Sequence, residues 1–126
     1  MERLALSTVC LLAAAPTLGH AQECRVSPLP YFEFQVEVPA QWLPDSSVTP
    51  RPAPARGVEA QELPALVQFV VDSAGVPHPR TYKILKARDP ELAEAGRTVV
   101  GTWRFRPARI GSCAVAQLVQ TPLARE

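Results

Sequence analysis

The residues able to do chemistry in this sequence are few, and their spacing suits none of the common reactions. Beyond residue 21 there is one histidine, His78, set between Pro77 and Pro79. A lone loop histidine is ordinarily a solvated side chain, and a metal site needs three or four converging ligands. Only Cys24, Cys113 and scattered carboxylates stand beside it as candidates. A cysteine nucleophile with His78 as base needs a free thiolate, which a bridge between the two cysteines would remove. Glu33 and Glu37 recur at strand spacing, where paired carboxylates usually solvate a face rather than share acid and base work. No glycine-rich phosphate loop occurs. Arg104, Arg106 and Arg109 gather around Trp103 and Phe105. That group could hold an acidic partner or a glycan; the plainer reading puts both aromatics in the core and the arginines in water. The expectation is a protein without catalytic residues, metal or cofactor.

Bulk properties narrow the partners. The 126 residues suffice for one domain, and the formal net charge is +1 with both signs interspersed. No basic stripe forms, which sets nucleic acid aside. At the N-terminus, Leu4 to Ala15 is apolar and uncharged, Pro16 breaks the run, and Gly19-His20-Ala21 supplies small residues at the two positions a signal peptidase reads. Residues 1–21 therefore read as a cleavable signal peptide, with the mature chain starting at Gln22. The rival, an uncleaved inner-membrane anchor, has an apolar run shorter than the ~20 residues that span a bilayer. Export to the periplasm or beyond follows. Cys10 leaves with the signal peptide, so Cys24 and Cys113 remain, one near each end of the domain. In an oxidising compartment that pair reads as an intramolecular disulfide. Two free thiols, or a bridge between two copies, are the alternatives.

The chemistry-poor mature chain still has clear elements. Residues 31–38 alternate, with Phe32, Phe34, Val36 and Val38 on one face, which predicts a half-buried strand stopped by Pro39. Prolines at 39, 44, 50, 52, 54 and 64 make the next stretch an extended connector, anchored by Trp42 and Leu43 and with room for a helical turn near 55–61. Residues 66–71 are apolar on both faces except Gln68, which suits a central strand. Asp72-Ser73-Ala74-Gly75 turns the chain into a second, antiparallel strand over 81–87, with Tyr82 and Ile84 facing one way. Asp89 caps a helix begun by Pro90 and Glu91. Its stripe runs through Leu92, Ala95, Val99 and Trp103, and Gly96 and Gly101 suggest close approach to the sheet. Residues 103–108 turn the chain, and residues 113–121 form the last strand. The fold class is α+β: a small antiparallel sheet with one main helix on one face, preceded by an extra N-terminal strand. Residues 22–49 form the strand and lead-in, and residues 50–126 the domain proper.

Val67-Gln68-Phe69-Val70-Val71-Asp72-Ser73-Ala74-Gly75 resembles the first hairpin of the TonB C-terminal domain family, whose pattern is alternating apolar residues closing on V-D-x-x-G. Trp103-Arg104-Phe105-Arg106-Pro107-Ala108 is similar to that family's W-x-F-x-P-A signature. The capped helix at Asp89-Pro90-Glu91-Leu92 falls between them, as it does in the family. The resemblance spans roughly residues 50–124. It implies a non-catalytic domain that takes a short extended peptide from an outer-membrane receptor, or another envelope protein, as an added strand. By position, the implied edge is Ala114, Val115, Ala116, Gln117, Leu118, Val119, Gln120 and Thr121, with Gln117, Gln120 and Thr121 keeping it soluble. The chain departs from an energy transducer in two ways. Ser7 and His20 are 13 residues apart, so they do not share a membrane-helix face, and the long Glu-Pro and Lys-Pro linker is missing. The competing expectation is a structural envelope protein, in which the same edge pairs with a second copy or is covered by residues 31–38.

Overall fold

The computed structural model describes residues 24, 27–44, 48–53 and 62–125. Short strands β1 (Gln41–Leu43) and β2 (Arg51–Pro52) come from the proline-rich connector. The hairpin is β3 (Ala65–Val71) and β4 (Lys83–Ala87), followed by helix α1 (Pro90–Val99). Then come β5 (Arg104–Arg106), β6 (Ala108–Ile110), β7 (Cys113–Val115) and β8 (Gln117–Ala124). The main sheet has four strands in the order β2-β8-β3-β4, every neighbour antiparallel. Two ribbons, β1–β5 and β6–β7, flank it. The α+β class read from the sequence is what the chain adopts.

The core lies between one face of this sheet and α1. Ala65, Val67, Phe69 and Val71 are fully buried, while Leu66, Gln68 and Val70 on the opposite face are half-buried. The apolar run at 66–71 had suggested cover on both faces; the structure buries one of them completely. Asp89 caps the helix by accepting the Leu92 N–H at 3.1 Å. Leu92, Ala93 and Gly96 form its buried face. A Cβ on Gly96 would stand 2.3 Å from the Tyr82 hydroxyl, so glycine sets the helix-to-sheet distance, as its place in the stripe predicted. The Tyr82 hydroxyl donates to the Ala93 carbonyl at 2.6 Å, and burial pushes its pKa up to about 12.

The two strings that carry the family resemblance meet in space. Gly75 has φ +82°, and a Cβ there would lie 2.0 Å from the Phe105 carbonyl oxygen. The Phe105 N–H donates to the Gly75 carbonyl at 2.9 Å. Phe105 and Trp103 are buried, each ring tilted against Phe69 at 5.7 and 5.5 Å. The hairpin tip therefore needs glycine because a backbone passes against it. Arg104, Arg106 and Arg109 are exposed around these core aromatics.

Several sequence expectations are corrected. Residues 31–38 do not form a strand. The Gln35 side chain accepts the Phe32 N–H and the Gln35 N–H donates to the Phe32 carbonyl, so local bonds wind Glu33–Gln35 into a 3-10 turn. Only Tyr31 and Val38 make isolated bridges, and Phe32, Phe34 and Val38 are exposed rather than buried. Residues 103–108 are not a bare turn but supply β5 and the start of β6. The last strand is two: β7 pairs with β6, and after Ala116 β8 continues through Pro122 to Ala124. Trp42 anchors the connector by pairing with Phe105, whereas Leu43 is exposed. The signal segment and the turn near 55–61 lie outside the described residues.

Candidate functional site

Edge strands decide where a foreign backbone could join this sheet, because only they carry unpaired N–H and C=O groups. One edge is β4. It is blunted by a bulge, where its pairing with β3 skips Leu85, and by Lys83 and Lys86. Both features discourage pairing. At the other side the outermost strand is β2, which among the described residues pairs with only Leu123 and Ala124 of β8.

Hydrogen-bond direction along β8 follows from its partners. The Leu118 N–H donates outward to the Tyr31 carbonyl at 2.8 Å, and the Tyr31 N–H donates to the Ala116 carbonyl at 2.9 Å. At the far end the Ala53 N–H donates to the Pro122 carbonyl at 3.0 Å. Backbone groups alternate in direction along an antiparallel strand. Leu118, Gln120 and Pro122 thus point outward, and Gln117, Val119 and Thr121 point to β3. Between the two plugs the outward Gln120 N–H and C=O have no backbone partner among the described residues, and the Glu33–Gln35 turn also packs against β8. Among the described residues this window runs from Leu118 to Pro122, about 13 Å at the usual strand rise.

The sequence placed the edge at residues 114–121, and the structure redistributes these positions. Ala114 and Val115 belong to the β6–β7 ribbon. Ala116 and Leu118 are occupied by Tyr31. Gln117, expected to keep the edge soluble, is instead 3% exposed, and its Oε1 accepts the Ala40 N–H at 2.7 Å. It fastens the N-terminal arm (residues 27–44) to the sheet. Val119 is buried, and Thr121 is half-buried with its backbone turned to β3. Gln120 alone combines exposure with an outward backbone. Its side chain crosses to Gln68 at 2.8 Å on the sheet face opposite the helix.

Two hollows adjoin the window. On the core side a groove of about 490 Å³ is walled by Ala40 and Trp42 from the arm, Pro52 from β2 and Ala53 just after it, and Phe105, with Val119 and Thr121 along β8. On the opposite face a hollow of about 310 Å³ is lined by Phe32, Glu33, Phe34, Leu118 and Gln120. Sequence reasoning missed the arm's part in both, because it read Phe32 and Phe34 as buried. No local signal marks it, because the alternation of residues 31–38 becomes a strand only where a partner strand lies beside it.

The remaining candidates are placed elsewhere. Cys24 and Cys113 form a disulfide with Cα atoms 5.6 Å apart, which ties the arm to β7. His78 Nε2 lies 2.9 Å from Asp72 Oδ2, and Asp72 Oδ1 accepts the Ala74 and Val76 N–H groups. Burial alone would raise the Asp72 carboxyl; the His78 ring and the two amides outweigh it and hold it below the ordinary carboxylate value. These two side chains thus brace the hairpin connection. Among the described residues no three His, Cys, Asp or Glu side chains gather closely enough to hold a metal ion, and no helix is long and apolar enough to cross a membrane.

The fold and site define a small α+β domain with a short, grooved opening in its sheet edge. Compared with protein-family models, curated proteins and solved structures, the chain matches none. The likeness to the TonB C-terminal domain rests on the motifs in its sequence.

Proposed function

We propose that this is an exported, non-catalytic TonB-like domain that takes a short extended peptide of an outer-membrane receptor, or of another envelope protein, as an added strand. The observation that carries the reading is the window at Gln120, whose outward N–H and C=O have no partner among the described residues between the plugs at Tyr31 and Ala53, beside a groove walled by Trp42, Pro52 and Phe105. Main-chain bonds would supply affinity, and the groove would take a side chain. The window holds about three paired residues, fewer than the eight-residue edge read from the sequence. The Cys24–Cys113 bridge fits an oxidising compartment, the periplasm or outside the cell. N-terminal sequencing of the exported protein should begin at Gln22; a start at Met1 would contradict export by cleavage.

The binding test uses proline placement. Proline at 120 removes an outward N–H and leaves β3 pairing intact, whereas proline at 119 breaks a bond inside the sheet. Synthetic peptides copying the extended periplasmic segments of outer-membrane receptors should bind the native protein. Gln120→Pro should weaken them about ten-fold or more with an unchanged circular dichroism spectrum, the loss of roughly one or two buried hydrogen bonds. Equal binding to both proteins would remove the reading.

The second reading, a self-associating envelope protein, draws on the Tyr31 pairing with Ala116 and Leu118, which already fills one end of the edge. Concentration-dependent dimerisation by sedimentation would favour it; a monomer at high concentration would not.

A further inference from the structure

Phe32 and Phe34 stack on the protein surface with ring centroids 5.5 Å apart and planes 7° from parallel. They remain 50% and 83% exposed. Stacking of this kind rarely stands bare, since each ring leaves a large apolar area in water. The pair borders the hollow that also exposes Leu118 and Gln120. Glu33, between the two rings in sequence, lines both this hollow and the groove on the core side. Its carboxylate has no ion pair or hydrogen bond among the described residues.

Strand geometry links these features to one ligand residue. A residue whose backbone pairs with Gln120 projects its side chain on the same face as Gln120, and its two neighbours project to the other face. That face holds the Phe32–Phe34 hollow; the other holds the groove of Trp42, Phe105 and Val119. We propose that the accepted peptide carries a large aliphatic side chain at the residue paired with Gln120, seated against Phe32 and Phe34, and a basic side chain next to it, facing Glu33. This inference rests on the strand-addition reading and assigns its specificity to the arm. Three observations carry it: the aromatic shelf, the Glu33 carboxylate shared by both hollows and unpaired among the described residues, and the outward backbone between them.

The test uses three seven-residue peptides, all scored by fluorescence anisotropy on the full exported protein. The first is Thr-Val-Lys-Leu-Lys-Val-Thr; the second replaces its central leucine by serine, and the third replaces both lysines by glutamate. The leucine peptide should bind about ten-fold or more tighter than the serine peptide, the scale of burying one aliphatic side chain. It should also bind several-fold tighter than the glutamate peptide. Phe32→Ala with Phe34→Ala should erase the leucine preference, and Glu33→Gln should erase the lysine preference. All three side chains are exposed, so the variants keep the fold. If peptides bind in a Gln120-dependent way but leucine and serine rank equally, the specificity assignment falls and strand addition stands. A leucine preference that survives the double alanine variant also overturns it. If no peptide binds, both fall.

Discussion

At the scale of single residues, Asp72 has the most consequential bonding in the hairpin connection. It accepts two turn amides and the His78 ring, and its carboxyl is held below the ordinary value. A depressed folded-state pKa means the unfolded chain binds the proton first as pH falls. The contribution is therefore present above the unfolded value of about 4 and is lost on further acidification. Thermal melts from pH 6 to pH 2 should show Asp72→Asn less stable at pH 6, with the gap to the native protein narrowing below about pH 4. A constant gap would mean the carboxylate charge contributes nothing. The importance of Asp72 and Gly75 was legible because turns that need a side-chain acceptor and a positive φ admit few residue types. That Gly75 lies against the Phe105 backbone was not, since 30 residues separate them and no local rule encodes the contact. Gln117 was misjudged for a similar reason. An amide on an alternating strand reads as solvent-facing until a distant N–H, here that of Ala40, arrives to bury it.

At the scale of elements, the helix and the β3–β4 hairpin were readable in advance. Capping, proline at the first turn and an apolar run bounded by turn residues all act within a few residues. Elements that depend on a neighbour were misread. The alternation of residues 31–38 promised a strand, but among the described residues no strand lies along its length, and the Phe32–Gln35 bonds close locally instead. The reverse holds for residues 103–108, whose short β5 exists because β1 arrives to pair with it. The arm is held to the body by these ribbons, by Tyr31 and by the Cys24–Cys113 bridge across a sequence separation of 89. Closing a loop of that length stabilises the native state by about 4–5 kcal/mol in the chain-entropy model. Replacing both cysteines by serine should lower unfolding stability on that scale in urea titrations. It should also speed amide exchange at Leu118, which Tyr31 covers, before exchange at Val119, which β3 covers. Equal protection at Leu118 with and without the bridge would show that the disulfide does not hold the arm in place.

At the scale of the whole molecule, one sheet has two very different edges. The β4 edge is armoured by a bulge and lysines; β8 is plugged at both ends, with no partner strand between the plugs among the described residues. A protein that only needed to avoid aggregation would blunt both edges. A groove beside the less covered side is what the proposed strand addition requires. The sequence located this strand through its place after the helix, but the size of the opening depends on Tyr31 and β2, which contact it from far along the chain. The most direct measurement is residue-resolved amide exchange by NMR, without and with the heptapeptide Thr-Val-Lys-Leu-Lys-Val-Thr. Alone, the Gln120 amide should exchange quickly while Val119 and Thr121 are slow; with peptide, Gln120 should become protected. A Gln120 amide already slow in the free protein, or one left fast at saturating peptide, would contradict strand addition at this edge.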